Sequence, residues 1–144
     1  MTQTAGRLPT AGAPVHVCDK LQPQQGGSAF YDRPTAGIPG PEHDGTLLCA
    51  DGQVFTGCNV ENAAYGSTIC AERTALVKAV SEGRRSGFTR LAVAGRGEEF
   101  CWPCGACRQM LYEFAPDLVV LAIRGDGQFQ SLPLRDLLPH GFGP

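Results

Sequence analysis

Cys70-Ala71-Glu72 and Pro103-Cys104-Gly105-Ala106-Cys107 constrain this chain more than any other stretch. Three thiols in these two motifs can close three corners of a tetrahedron around zinc. The fourth corner then stays open for water, which separates a catalytic zinc from a structural one. Glu72, two residues past the first thiol, adds a carboxylate that the ligand set does not require. Between Glu72 and Pro103 lie 30 residues, room for the rest of a helix, a strand and a loop.

A fold that serves both motifs must bring two helix starts together, and the sequence from Leu47 onward predicts one. Leu47 to Ala50, the turn Asp51-Gly52 and Gln53 to Cys58 read as a β-hairpin, since Asp-Gly is a favoured two-residue turn. After the polar stretch Asn59 to Thr68, a helix starts at about Cys70. Its apolar face is Ala71, Ala75, Leu76, Ala79 and Val80, and Gly83 ends it. Arg90 to Gly95 is a short apolar strand. A second helix, from about Cys104 to Phe114, is expected to bury Ala106, Met110, Leu111 and Phe114 and to stop before Pro116. Leu118 to Ile123 reads as a strand. Gly125-Asp126-Gly127 turns into Gln128 to Gln130, and Leu132 to Leu138 reads as a closing helix. The order ββαβαβ predicts an α/β fold with helices packed on a mixed central sheet.

Residues 1–46 read differently. They hold seven of the 19 glycines and six of the 11 prolines, and no helical periodicity runs through ten residues. Val15 to Cys18 alternates weakly, and Pro34 to Gly45 is turn-like throughout. The expected division is therefore a loop-rich N-terminal segment, 1–46, and a chemical core, 47–144.

With 144 residues the chain is one domain long and can bury an ordinary core. A net charge of -2 gives no sign of a polyanion partner, so no nucleic acid polymer is expected. No apolar run approaches the ~20 residues of a membrane span. Met1 to Thr10 lacks the apolar stretch of a secretory signal, which predicts a cytoplasmic location. Seven cysteines, three of them at metal spacing, favour metal over disulfides in a reducing compartment. Cys18, Cys49 and Cys58 read as small buried or surface residues, and His16, His43 and His140 have no ligand partner in sequence.

Both motifs open helices, and a helix N-terminus with its free N–H donors favours thiolate over thiol. The i, i+3 spacing of Cys104 and Cys107 puts both sulfurs on one face. Three thiolates leave the site net negative, and Arg73 can offset this by hydrogen bonding to the cysteine sulfurs. A ligand-x-Glu followed by P-C-x-x-C is the zinc deaminase signature, with the Glu moving protons. The chemistry this arrangement predicts is hydrolytic deamination, with Glu72 carrying a proton from zinc-activated water to a ring nitrogen and then protonating the departing amine. Other readings stay open at this stage. One is a structural zinc site in an interaction domain. Another is an iron–sulfur run through Cys101, although Leu111 stands where a fourth thiol would be needed. Tyr65 and Phe142 can equally be packing aromatics.

Gly57-Cys58-Asn59-Val60-Glu61-Asn62-Ala63-Ala64-Tyr65, Cys70-Ala71-Glu72-Arg73-Thr74-Ala75 and Pro103-Cys104-Gly105-Ala106-Cys107-Arg108-Gln109 closely resemble the small zinc-dependent cytidine deaminases. The likeness runs from about Leu47 to Leu137-Leu138-Pro139 and Phe142 near the end. It implies a three-layer α-β-α fold with helices on both faces of the sheet. It also implies one zinc per chain, held by Cys70, Cys104 and Cys107, with Glu72 as the catalytic residue. The implied reaction converts cytidine and deoxycytidine to uridine and deoxyuridine in pyrimidine salvage. Asn59 and Glu61 would hold the ribose hydroxyls, and backbone at Ala71 would read the pyrimidine edge together with Glu72. Tyr65 would join the substrate-binding set, and Phe142 would reach a neighbour's active site in a homotetramer. The alternative is a deaminase of another aminated base or nucleoside analogue, or a catalytically weak zinc-binding relative. The chain departs from the family at Ile38 to Thr46, where relatives carry a P-Y-S-x-F-x-V-G-A-like run and Pro41 stands in place of the base-packing Phe. An insert or a local change of reading frame would produce such a border. The departure predicts an incomplete substrate cover and a poorly paired first half of the first core strand.

Overall fold

The computed structural model describes residues 4–7, 43–95 and 98–143. Alternation builds its sheet. In β2 (His43–Cys49), β3 (Val54–Cys58), β4 (Phe88–Gly95) and β5 (Val119–Ile123), one side of each strand is buried and the other is half-buried or exposed. Phe55, Leu47, Leu91 and Val120 are successive cross-strand partners, and all four are buried. Each such aliphatic or aromatic side chain contributes about 1.5–3 kcal/mol when taken from water.

Two further strands complete the sheet, β1 (Thr4–Arg7) at one edge and β6 (Gln128–Pro133) beside it; the order is β1-β6-β5-β4-β2-β3. Only β4 and β5 run parallel, so the sheet is mixed, as the order of elements predicts. Helix α1 (Ala71–Ser81) follows β3, and α2 (Gly105–Phe114) forms the crossover from β4 to β5. The last helix, α3 (Leu134–Leu137), is a single turn. Ala75, Leu76 and Ala79 of α1, Leu111 of α2 and Leu134 of α3 join the buried row in one core cluster. Among the described residues, these helices thus meet on one face of the sheet. Thr46, Leu48, Ala92 and Leu121 point to the other face and are half-buried. No described helix is long and apolar enough to cross a membrane.

Several boundaries differ from the sequence reading. β2 begins at His43, not Leu47, and is paired on both sides: Gly45 faces Gly57 of β3 and Val93 of β4. From Asp44 onward this strand is laddered on both sides, although His43-Asp44-Gly45 has no strand-like composition; pairing with two neighbours overrides local propensity. Thr4–Arg7 is a strand inside the segment read as loop-rich, held by pairing with β6. Val15 to Cys18 lies outside the described residues. Ala106 is exposed rather than buried, because it sits one residue round the helix from the buried line of Cys107 and Leu111. Leu132 belongs to β6, leaving only four residues for α3.

Candidate metal centre and active site

The three thiols of the two motifs converge. Cys70 and Cys104 are the N-caps of α1 and α2, both with extended backbone, and Cys107 lies in the first turn of α2. Cys70 Sγ stands 3.8 Å from Cys104 Sγ, and Cys104 Sγ stands 3.4 Å from Cys107 Sγ. All three sulfurs lie within 4.8 Å of one another. A tetrahedral centre with zinc–sulfur bonds of about 2.3 Å spaces its sulfurs about 3.8 Å apart, so the donor set fits zinc. The separations are far too long for disulfides, and all three cysteines are free. Among the described residues this is the one cluster of its kind.

The electrostatics point the same way. Burial first, then the charge of Glu72, pushes the Cys107 thiol far up. Burial also raises Cys70, against a hydrogen bond from Arg73. At Cys104 burial is outweighed by hydrogen bonds from the backbone and side chain of Cys107, and this thiol is lowered. Sulfurs packed this closely cannot all carry charge without a cation among them. Cys101 is pushed up to about 11 by burial and stays outside the cluster. Cys49 is buried and Cys58 half-buried, as expected of small residues; Cys18 lies outside the described residues.

Glu72 is the second residue of α1 and only 4% exposed; with Asn59, 6% exposed, it makes up the buried polar residues of the described chain. A carboxylate in the first turn is favoured by the helix dipole, which offsets part of its burial cost. Its charge helps to raise the thiols of Cys70, Cys101 and Cys107. Arg73 bridges on the same turn: its Nη2 donates to the carbonyl of Thr68 at 2.9 Å and to Cys70 Sγ at 3.8 Å. Its buried Nε has no hydrogen-bond partner among the described residues.

Asn59 leaves the end of β3, and its Nδ2 donates to Glu61 Oε1 at 2.8 Å. A two-way bridge between Val60 and Ile69, with bonds of 2.8 and 3.0 Å, folds this stretch against the segment entering Cys70. The sequence-named pair is thus brought beside the strand-like segment that leads into Cys70. Tyr65 sits in a single 3-10 turn (Tyr65–Ser67) and is 76% exposed. Phe142 is 75% exposed near the C-terminus.

Sequence reasoning passed over two glycines. A Cβ on Gly57 would stand 2.5 Å from the amide nitrogen of Ala75 and 2.6 Å from the carbonyl oxygen of Ala71, backbone groups of the first turns of α1. A Cβ on Gly45 would stand 2.8 Å from the carbonyl carbon of Ala71 and 2.9 Å from the nitrogen of Glu72. These cross-strand partners form a shelf on which the Ala71–Glu72 peptide rests. A glycine next to Cys58 in a strand is a signal of close backbone approach.

Residues 45–123 match the family described as "Cytidine and deoxycytidylate deaminase zinc-binding region". The chain is 41% identical over 127 residues to a cytidine deaminase of Halalkalibacterium halodurans, covering 88% of this chain and 90% of that one. A second, from Sporosarcina psychrophila, is 46% identical over 97 residues, 67% of this chain and 71% of that one. Among solved structures, the cytidine deaminase from Burkholderia pseudomallei superposes with a TM-score of 0.68 at 43% identity, covering 71% of this chain and 82% of that chain. The 127-residue match must begin upstream of Leu47, so for that relative the likeness does not stop at that residue. A match over more than half of the chain, and relatives this similar over most of their length, place it: this chain belongs to the zinc-dependent cytidine deaminase family.

Proposed function

We propose that this protein catalyses the hydrolytic deamination of cytidine and deoxycytidine to uridine and deoxyuridine, releasing ammonia. The observation that carries the reading is Glu72: a buried carboxylate in the first turn of α1, two residues past Cys70, whose charge acts on the thiols of Cys70 and Cys107. The relatives' names supply the substrate class.

Cys70, Cys104 and Cys107 would hold one zinc per chain. When bound, zinc supplies the Lewis acidity that makes water a nucleophile near neutral pH. Glu72 moves the protons. It accepts one from the attacking water and delivers it to the pyrimidine ring nitrogen as oxygen bonds to C4; it then takes the second proton from that oxygen and passes it to the exocyclic nitrogen as the C4–N bond breaks. The products are a ring carbonyl and ammonia. The backbone at Ala71 and the Glu72 carboxylate orient the base. Asn59 and Glu61, already hydrogen bonded to each other, take the ribose hydroxyls. Arg73 steadies the thiolate of Cys70 through its hydrogen bond to that sulfur. Tyr65 and Phe142, both exposed aromatics, serve as further substrate contacts, Phe142 at a neighbour's site in a homotetramer. The proposed setting is pyrimidine salvage in the cytoplasm, on free nucleosides rather than nucleic acid polymers or membranes, with residues 47–144 carrying the chemistry.

Loss of the cytidine absorbance band on mixing with purified, zinc-replete protein tests this reading directly. Unchanged absorbance with a full complement of zinc would overturn it.

A further inference from the structure

The two residues that follow the third thiol, Arg108 and Gln109, both reach the C-terminal segment. Arg108 Nε donates to the carbonyl of Pro103 at 2.6 Å, and its Nη1 donates to the carbonyl of Leu137 at 3.0 Å. Gln109 Nε2 donates to the carbonyl of Phe142 at 2.6 Å. Between those anchors the amide of Gly141 donates to the carbonyl of Leu138 at 3.2 Å. A Cβ on Gly141 would stand 2.8 Å from Leu138 Cδ2 and 3.2 Å from Tyr112 Cδ1, so the segment lies close against α2. The helix that carries Cys107 therefore straps the chain end at two points, Leu137 and Phe142.

The outer anchor holds an unusual residue. The backbone of Phe142 is tied down while its ring is 75% exposed. An aromatic ring on a tethered backbone loses less conformational freedom when it meets a ligand than one on a loose tail, which raises the affinity of that contact. The second hydrogen of the Gln109 amide has Glu113 Oε1 within reach at 3.4 Å, a longer bond than the one to Phe142.

We infer that Gln109 is a positioning residue for substrate binding: it seats Phe142 by its carbonyl and acts on substrate through that ring. This rests on the reading of Phe142 as a substrate contact in a cytidine deaminase. Because the anchor is a backbone carbonyl, Phe142→Ala keeps the tether and removes only the ring. The pair therefore forms a double-mutant cycle.

Gln109→Ala, Phe142→Ala and the double variant are compared in the full-length, zinc-loaded protein. Gln109→Ala is expected to retain zinc and keep kcat within about twofold, while KM for cytidine rises about 2- to 10-fold, the range of one net hydrogen bond. In the Phe142→Ala background the same change is expected to add less than about 1.5-fold, since the ring it serves is gone. Mass-spectrometric amide exchange of the peptide ending in residues 139–143 should quicken in Gln109→Ala without any substrate present. Additive effects on KM, an unchanged KM, or unchanged exchange would each overturn the inference. A wild-type protein that leaves cytidine untouched sinks the functional reading instead, and the exchange comparison still reads the tether.

Discussion

The carbonyl oxygen of Ala71 lies 2.6 Å from the point where a Cβ on Gly57 would stand. Strand β3 thus meets the first turn of α1 backbone to backbone, and no side chain fits between them. Gly57→Ala is expected to push apart the helix start, with Glu72, and the strand end, with Asn59. Overpacking of this kind costs about 1–3 kcal/mol, or roughly 3–10 °C in Tm for a domain of this size. Turnover should fall at least tenfold, because small displacements of reacting groups are expensive. Thermal melts and steady-state kinetics on the folded variant check both expectations.

The sulfur cluster should bind one zinc per chain, and Cys107→Ser should lose it. Cys107 is wholly buried, so the hydroxyl left behind has no water to bond. Elemental analysis of both proteins decides the matter; iron with visible absorbance, or no metal in the wild type, would contradict the zinc assignment.

Glu72→Gln separates scaffold from chemistry. The amide has the same shape and keeps the buried position, so zinc content and melting should stay close to wild type. Proton transfer contributes about 10²–10⁴ in rate, and this residue serves more than one transfer. A fall in kcat of at least that size is expected, and near-normal turnover would remove Glu72 from its role.

Asn59 and Glu61 share a hydrogen bond of 2.8 Å, so neither is independent of the other. Each single change to Ala should weaken nucleosides by about 10- to 100-fold, the loss expected for a hydrogen bond with a charged partner, and affect free cytosine little. The double variant should cost less than the two singles combined. Measuring kcat/KM on cytidine and on cytosine for all three variants tests the sugar assignment; equal losses on both substrates refute it.

The hairpin turn has a titrating brace. Asp51 accepts the backbone N–H of Gln53 at 3.1 Å and pairs with Arg84, and Arg84 also donates to Gln53 Oε1 at 3.0 Å. The Gln53 amide first, and then Arg84, hold the Asp51 carboxyl below its ordinary value. A carboxyl lowered in the folded state adds stability above its unfolded pKa of about 3.9 and loses it as pH falls through the folded value. Asp51→Ala should therefore melt earlier than wild type at pH 7, and the difference should shrink toward pH 2. A constant difference across that range would show that the charge has no part in it.

The motif spacing makes the sulfur cluster legible in the sequence, because i, i+3 at a helix start brings two thiols together and a tetrahedron asks for a third. The Asp-Gly turn and the apolar alternation of β4 and β5 gave the core sheet in the same way. Three things were not legible. The early start of β2 depends on partners far along the chain, Gly57 and Val93, and nothing in His43-Asp44-Gly45 announces them. The exposure of Ala106 depends on the tilt of α2, which periodicity leaves free by one residue. The ties from Arg108 and Gln109 to Leu137 and Phe142 span roughly 30 residues to backbone carbonyls, which no side-chain pattern records.

Cys70 and Cys104 stand 34 positions apart, yet their sulfurs meet. An ion held there works as a removable cross-link, closing a long loop as a disulfide would and releasing it when the ion leaves. Stabilisation by a ligand that binds only the folded state grows with the logarithm of its free concentration. The fraction of chains open to proteases would then follow the free zinc concentration, and a shortage of metal would thin the enzyme population as well as idle its active sites.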